Sequence, residues 1–220
     1  MNLNSKKKAI IIGGSQGLGK SISDNLKLAK FKVIACSRKE IDTSSITSVE
    51  KFLKKNTFAD IVVLNSGGPP PMKFNDIKVN DWKKYFNQLF LSFFLILKNL
   101  KIKKNGYIFY ISSSIIKEPG NSLIISSSLR SAMSSLLKSY SLNNLNRGIT
   151  VINIAPGPFK TKRVKELVSN LKKFEKQLPT GKIGDPSEIG KFVRFVVEHK
   201  IKYISGSTVY FDGNINKSFL

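Results

Sequence analysis

A glycine-rich turn close to the start of the chain has the residue types and the context of a phosphate-binding loop. Gly13, Gly17 and Gly19 lie between a β-branched run at 8–12 and a segment, 21–29, with apolar residues at near-helical spacing. Glycines let the backbone approach a pyrophosphate closely, and the N–H groups of a helix N-terminus then meet its charge. The pattern predicts a dinucleotide site, with an ordinary strand-to-helix loop as the alternative. The residues expected to contact the phosphates are Gly13, Ser15, Gln16, Gly17, Leu18 and Gly19.

The end of the next apolar run, 31–36, carries residues suited to a cofactor's adenosine ribose. A carboxylate at this place in a doubly wound sheet would accept from a free 2′-hydroxyl, whereas a guanidinium pairs with a 2′-phosphate. The segment shows Ser37 and Arg38 and no acid, which favours NADP(H) over NAD(H). The alternative is a solvated surface arginine. We expect Asp42, slightly further on, to accept from the adenine amino group.

The turn Asn65-Ser66-Gly67-Gly68-Pro69 after the strand 61–64 adds a more specific signal. Together with the glycine-rich turn, it resembles the short-chain dehydrogenase/reductase superfamily over about residues 8–213. The likeness is greatest to a beta-ketoacyl carrier-protein reductase-like subgroup, which shares this turn and the Lys-Glu-Pro stretch at 117–119.

The resemblance implies further cofactor contacts, a substrate and an assembly. Asn65, Ser66 and Gly67 would support the adenosine side of the cofactor. The substrate would be a small carbonyl compound or alcohol, free or attached to a carrier protein, and the assembly a homodimer or homotetramer. The loop after strand 150–154 would hold the nicotinamide carboxamide through Pro156, Gly157, Phe159 and Thr161.

The same resemblance places the catalytic positions at Ser113, Ser126 and Arg130. The superfamily's serine, which holds the carbonyl oxygen, falls at Ser113, but its tyrosine and lysine positions carry Ser126 and Arg130. Arg130 keeps a charge and donors for the nicotinamide ribose but does not pass on a proton. Ser126 lacks the acidity of a phenol. The pattern is therefore degenerate at the proton donor.

Other groups near in sequence are candidates for the missing donor: Tyr110, Lys117 and Glu118. The asparagine that the superfamily places in the preceding helix is replaced by Leu89, with Asn87 and Gln88 nearby.

Three functions fit these observations. The first is an NADP(H)-dependent oxidoreductase that reduces a carbonyl group or oxidises an alcohol. The second is a cofactor-binding protein with little or no activity, acting as a sensor, partner or scaffold. The third is a basic polyanion-binding protein whose cofactor site is vestigial.

The elements that must position these residues alternate between strands and helices. The pattern predicts a Rossmann-type doubly wound parallel sheet flanked by helices on both faces, forming one domain over residues 1–220. Expected helices cover 82–101, 126–146 and 187–199, and the lysine-rich segment 164–178 is expected to form a helical substrate lid. The helix at 82–101 is apolar around most of its circumference, which indicates homo-oligomerisation.

Composition bears on nucleic-acid binding, membrane insertion, cellular compartment and metal binding. The net charge of +23 comes from scattered lysines without a nucleic-acid motif, so nucleic-acid binding is not expected. The sequence shows no export signal, and its most apolar run is too short for the roughly 20 residues of a membrane span. A single cysteine, Cys36, fits a reducing, cytoplasmic compartment. With one histidine, His199, expected at a helix end, no metal site is implied.

Overall fold

A six-stranded parallel sheet forms the centre of the structure, a computed structural model that describes residues 6–218. The ends of the predicted 1–220 domain lie outside the described residues. The strands are β1 (Lys8–Ile11), β2 (Lys32–Ala35), β3 (Phe58–Leu64), β4 (Lys101–Ile111), β5 (Thr150–Pro156) and β6 (Ser207–Phe211). The helices are α1 (Gly17–Leu28), α2 (Ile46–Lys55), α3 (Val79–Phe86), α4 (Ser92–Asn99), α5 (Ile124–Asn143), α6 (Lys162–Leu167), α7 (Leu171–Gln177) and α8 (Pro186–Glu198).

The strand order, β2-β1-β3-β4-β5-β6, reverses direction between β1 and β3. After β1 the chain moves outward to β2, and it then returns past β1 to build the rest of the sheet on the other side. In such sheets a crevice opens beyond the carboxyl ends of the strands at the point of reversal. The predicted doubly wound parallel sheet is confirmed, and the crevice lies where the glycine-rich turn and Asn65 emerge.

Two apolar layers hold helices against the sheet because successive strand residues face opposite sides. On one face Ile10 packs with Phe93 of α4 and Met133 of α5, together with side chains of α2. On the other face Ile11 packs with side chains of α1 and α8, among them Val193. Burying one such side chain stabilises the fold by about 1.5–3 kcal/mol. The sheet is thus a rigid base from which the crevice loops project.

The predicted helix at 82–101 differs from the structure at its centre and its end. A π-helical turn, Asn87–Leu91, separates α3 from α4. Lys101, expected to end the helix, instead begins β4, where its N–H donates to the carbonyl of Thr57 at 3.0 Å. Ile102 is buried between exposed lysines, an alternation typical of a strand.

Two further differences concern helices. The prediction omitted α2, whose buried Val49 and Phe52 lie at helical spacing and whose N-cap Ser45 accepts from the N–H of Ser48 at 3.3 Å. The expected lid helix at 164–178 is two short helices, α6 and α7. Asn170 separates them because its side chain caps α7. Among the described residues, no helix has the length and apolar character needed to cross a bilayer.

Candidate active site

The glycine-rich turn is held in shape by contacts that exclude side chains. Gly13 and Gly17 have φ of 64° and 54°, in the left-handed region that favours glycine. A Cβ on Gly13 would lie 2.7 Å from the carbonyl oxygen of Asn65, and one on Gly19 would collide with the carbonyl of Gly13. The turn therefore folds back on itself at the end of β1, and each glycine is needed for space or for conformation.

The N-terminus of α1 faces the crevice, and no side chain of its N-cap residue or first turn caps its N–H groups. Its N-cap residue, Gln16, makes no side-chain capping bond, and its first turn contains no acid. Ser15 and Gln16 are exposed, whereas Leu18 packs partly against the core. A helix of this length presents free N–H groups and a partial positive charge to an anion. The arrangement fits the pyrophosphate that the sequence predicted.

The residues after β2 are either exposed to solvent or hydrogen-bonded within local turns. Arg38 is exposed, and no carboxylate lies within ion-pair distance of it in residues 6–218. The carboxylate of Glu40 accepts from the N–H of Ser37 at 2.6 Å, so an acid lies closer to this position than the sequence pattern suggested. Asp42 accepts from the N–H of Ser44 at 2.9 Å. Although burial opposes ionisation, the bonds from Ser44 hold the pKa of Asp42 below its ordinary value.

Asn65 and Gln88 shape the turn after β3. The side-chain amide of Asn65 donates to the carbonyl of Gly13 at 3.0 Å. Gln88, in the π-helical turn, donates to the hydroxyl of Ser66 at 3.2 Å and to the carbonyl of Gly67 at 2.7 Å. Sequence reasoning mentioned Gln88 only as a neighbour of Leu89, and the signal that identifies it is the π-helical turn, a distortion frequent at functional sites.

Leu89 lies on a different surface of the same turn. It is fully buried in an apolar cluster with Tyr85, Ile125 and Leu129. At the position expected for the superfamily's asparagine, Leu89 therefore packs in the apolar core.

Ser113 projects from the end of β4 as a half-buried residue, and no hydrogen bond from the described part of the chain engages its hydroxyl. Its neighbour Ser112 is instead tied to the carbonyl of Ile154 at 3.1 Å. The free hydroxyl is available to a ligand in the crevice.

The structure brings Ser126 and Arg130 together on α5. Both are 5% exposed. Arg130 donates from Nε to Ser126 Oγ at 3.2 Å, from Nη1 to the carbonyl of Ile111 at 2.9 Å, and from Nη2 to the carbonyl of Ser66 at 3.0 Å. The guanidinium therefore links α5 to the loops after β3 and β4.

Of the three candidate proton donors, Tyr110 lies near Arg130, whereas Lys117 and Glu118 contact other groups. Tyr110 is fully buried edge-on to Phe93, and burial raises the pKa of its phenol to about 12. The ammonium group of Lys117 lies 5.3 Å from the ring centre of Tyr210. Glu118 accepts from the N–H of Lys217 at 2.8 Å. None of these contacts directs a proton donor to Ser113 or Ser126.

The expected nicotinamide loop follows β5 along the crevice. The N–H of Gly157 donates to the carbonyl of Phe211 at 2.9 Å, which extends the sheet beyond Pro156. Phe159 is buried, and its ring lies where a Cβ on Gly184 would be, so its side chain belongs to the core. Thr161 borders the glycine-rich turn, since a Cβ on Gly17 would lie 3.3 Å from its Cγ2.

Arg163, at the start of α6, was missed by sequence reasoning. Its Nη2 donates to the carbonyl of Pro69, so α6 is attached to the turn after β3. The sequence signal was an arginine among lysines close to the predicted nicotinamide loop.

A crevice of this kind, at the carboxyl edge of a doubly wound sheet, defines the class of Rossmann-type dinucleotide-binding proteins. Residues 40–216 match the family model described as enoyl-(acyl carrier protein) reductase. The chain belongs to this family, within the short-chain dehydrogenase/reductase superfamily of NAD(P)-dependent reductases, and the predicted superfamily is thereby confirmed.

Relatives cover nearly the whole chain. The 3-oxoacyl-[acyl-carrier-protein] reductase FabG of Buchnera aphidicola subsp. Schizaphis graminum is 27% identical over 240 residues, covering 96% of this chain and 97% of the relative. The NADPH-dependent reductase BacG of Bacillus subtilis is 25% identical, covering 97% and 99%. The crystal structure of the angucycline C-6 ketoreductase LanV with bound NADP shares the fold, with a TM-score of 0.86 at 18% identity and coverage of 94% of each chain.

Proposed function

We propose that this protein is an NADP(H)-dependent reductase of carbonyl compounds, with alcohol oxidation as the reverse reaction. The observation that carries the proposal is the open N-terminus of α1 together with an exposed Arg38 in the segment after β2. One site suits a pyrophosphate, and the other suits the additional 2′-phosphate of NADP(H). The name of the relative BacG, an NADPH-dependent reductase, supports the same cofactor.

The residues that would hold the cofactor divide into two groups. The N–H groups of Gly17, Leu18 and Gly19 and the guanidinium of Arg38 would bind its phosphates. Asn65 would act indirectly by holding Gly13, while Thr161 would border the nicotinamide side. The bound nicotinamide supplies or accepts a hydride.

Ser113 would orient the reacting carbonyl by a hydrogen bond from its free hydroxyl to the carbonyl oxygen. The one proton that this oxygen takes up would come from water, because Ser126 is a weak acid and Arg130 stays charged. General acid catalysis commonly contributes about 10²–10⁴ in rate, so turnover is expected to be slow by the standard of a tyrosine-dependent reductase. The substrate would be free or carried by an acidic carrier protein, for which a net charge of +23 provides attraction.

The cofactor part of the proposal is tested by calorimetric titration with NADPH and NADH in parallel. We expect NADPH to bind at least about tenfold more tightly, in keeping with a charge-assisted bond to its 2′-phosphate. Arg38→Ala should remove this preference, whereas Lys39→Ala, a change to the exposed neighbouring cation, should retain it. No heat with either nucleotide would contradict the proposal.

The reductase part is tested by NADPH oxidation against carbonyl compounds that include a carrier-bound 3-oxoacyl thioester. Ser113→Ala should lower kcat without changing NADPH affinity, because Ser113 would act on the substrate alone.

A second function, cofactor binding without appreciable turnover, is favoured by the contacts of Arg130. Its three described hydrogen bonds, to Ser126, Ile111 and Ser66, give it a clear structural role. Tight NADPH binding with no oxidation of any carbonyl compound would favour this function over reduction.

A further inference from the structure

Arg130 and Arg163 converge on one small space beside Ser126. Arg130 reaches it from α5 and Arg163 from α6, and the turn after β3 passes between them. A Cβ built on Gly68 would lie 3.7 Å from Nη2 of each arginine and 3.3 Å from Ser126 Oγ. Two guanidinium groups therefore border the same point beside Ser126.

This pair of cations has little compensating negative charge. In residues 6–218 no carboxylate lies within 4.0 Å of Arg130, and the nearest to Arg163 is Glu166, at 3.8 Å from Nη1. Buried charges in proteins are usually paired with an opposite charge. Burial lowers the pKa of Arg163, the charge of Glu166 opposes this shift, and the charge of Arg130 adds to it. An anion bound near the two guanidinium groups would offset both the lack of an opposite charge and the lowering of the pKa of Arg163.

Donors remain available on both arginines. A guanidinium carries five N–H bonds, of which Arg130 directs three to described acceptors. Arg163 uses Nη2 for the carbonyl of Pro69. Because backbone carbonyls hold both groups, the donors are oriented before any ligand arrives, and this lowers the entropy lost on binding.

Gly68 lies on the turn between the arginines and places no side chain there. It does not adopt a left-handed conformation, so its backbone does not itself require glycine. A Cβ at this position would make a tight contact with Ser126 Oγ, at 3.3 Å, and ordinary van der Waals contacts with both guanidinium groups, at 3.7 Å. Glycine therefore adds no side chain between a ligand and the two guanidinium groups.

We propose that Arg163 and Arg130 bind the carboxylate of the substrate, so that the protein acts on small keto acids presented as free anions. The planar fork of a guanidinium matches the two oxygens of a carboxylate. Arg163 makes the direct contact because it is the more exposed of the two, while the buried Arg130 contributes its charge. The proposal rests on the reductase function in identifying the anion as a substrate.

The test compares keto acids with their neutral esters. Acetoacetate and pyruvate, each beside its ethyl ester, are titrated calorimetrically into the protein with and without NADP⁺. At least one acid should bind about tenfold or more tightly than its ester, as expected for a charge-assisted bond. Arg163→Met should remove that preference, Arg163→Lys should retain part of it, and Lys162→Met, the adjacent exposed cation, should leave it unchanged.

A kinetic arm separates this proposal from the reductase function. Arg163→Met should raise KM for the acid about tenfold while leaving KM for the ester and the affinity for NADPH unchanged. If NADPH binds and the wild-type protein reduces ester and acid equally well, the anion site is wrong and the reductase stands. If an acid binds in an Arg163-dependent way but NADPH does not bind, the anion site stands and the reductase is wrong. Failure of both acids to bind would overturn the anion site.

Discussion

The side-chain amide of Asn65, at the end of β3, donates to the main-chain carbonyl of Gly13, at the end of β1, over 3.0 Å. These two strands are the neighbours between which the strand order reverses. The resemblance implied that Asn65 supports the adenosine side of the cofactor. The observed contact is with the glycine-rich turn, which the amide holds in place.

Replacing Asn65 by alanine should therefore weaken both the fold and cofactor binding. Loss of the donor leaves the carbonyl of Gly13 without this partner, which should lower the free energy of unfolding by about 1–3 kcal/mol. Urea denaturation and NADPH titration measure the two effects. Asn75→Ala, at an exposed position after β3, is the matched control and should change neither. Unchanged stability and affinity in Asn65→Ala would show that the bond is dispensable.

Gly17→Ala tests the conformation of the turn. Its φ of 54° is costly for alanine, by roughly 1–2 kcal/mol, and the new methyl group would lie 3.3 Å from Thr161 Cγ2. We expect lower stability and weaker NADPH binding. Gly120→Ala provides the comparison, because a Cβ there has nothing within 4 Å, and it should be close to neutral. Equal effects of the two changes would contradict the assigned role of the turn.

The sequence was sufficient for features encoded locally. The β-branched run at 8–12 and its glycines predicted a strand and a tight strand-to-helix turn because strand burial and glycine conformation depend on nearby residues. The contacts of Gln88 and Arg163 were not predictable in this way. They join residues 21 and 94 positions apart, so they depend on how loops pass each other in the folded chain.

Gln88→Leu should loosen the turn after β3 without changing the helix that carries it. Leucine fills a similar volume but cannot donate to Ser66 and Gly67, so a loss of about 1–2 kcal/mol is expected. Hydrogen exchange of the amides at 66–68 should become faster, as measured by mass spectrometry. Asn87→Leu is the control, since no described hydrogen bond engages the Asn87 side chain. Unaltered exchange in Gln88→Leu would argue against this anchor.

Cys36 should be chemically inert in the folded protein. It is completely buried, and burial raises its pKa from 9.0 to about 12, so it remains a neutral thiol at neutral pH. A disulfide reagent at about pH 8 should label it only after unfolding. Rapid labelling of the native protein would contradict the described burial.

The same pKa shift predicts a pH dependence of stability. The folded state retains a proton that the unfolded chain releases, so the stabilising contribution is present below pH 9.0 and declines as pH rises towards about 12. Urea denaturation of wild type and Cys36→Ala should give stabilities whose difference shrinks over that interval. A constant difference would show that the thiol does not titrate as described.

The outer surface of α3 and α4 predicts self-association. Trp82, Phe86 and Phe94 are 37%, 40% and 37% exposed, and the ring of Phe86 stacks on Phe90 at 5.3 Å. A second copy that covered this surface would remove aromatic area from water, as the apolar circumference of the helix indicated. Sedimentation should show an oligomer for the wild-type protein and a smaller species for Phe86→Lys combined with Phe94→Lys. Phe195→Lys is the control: it places the same charge at an exposed aromatic position on α8 and should leave the oligomer intact. A wild-type protein that is monomeric at all concentrations would rule out this interface.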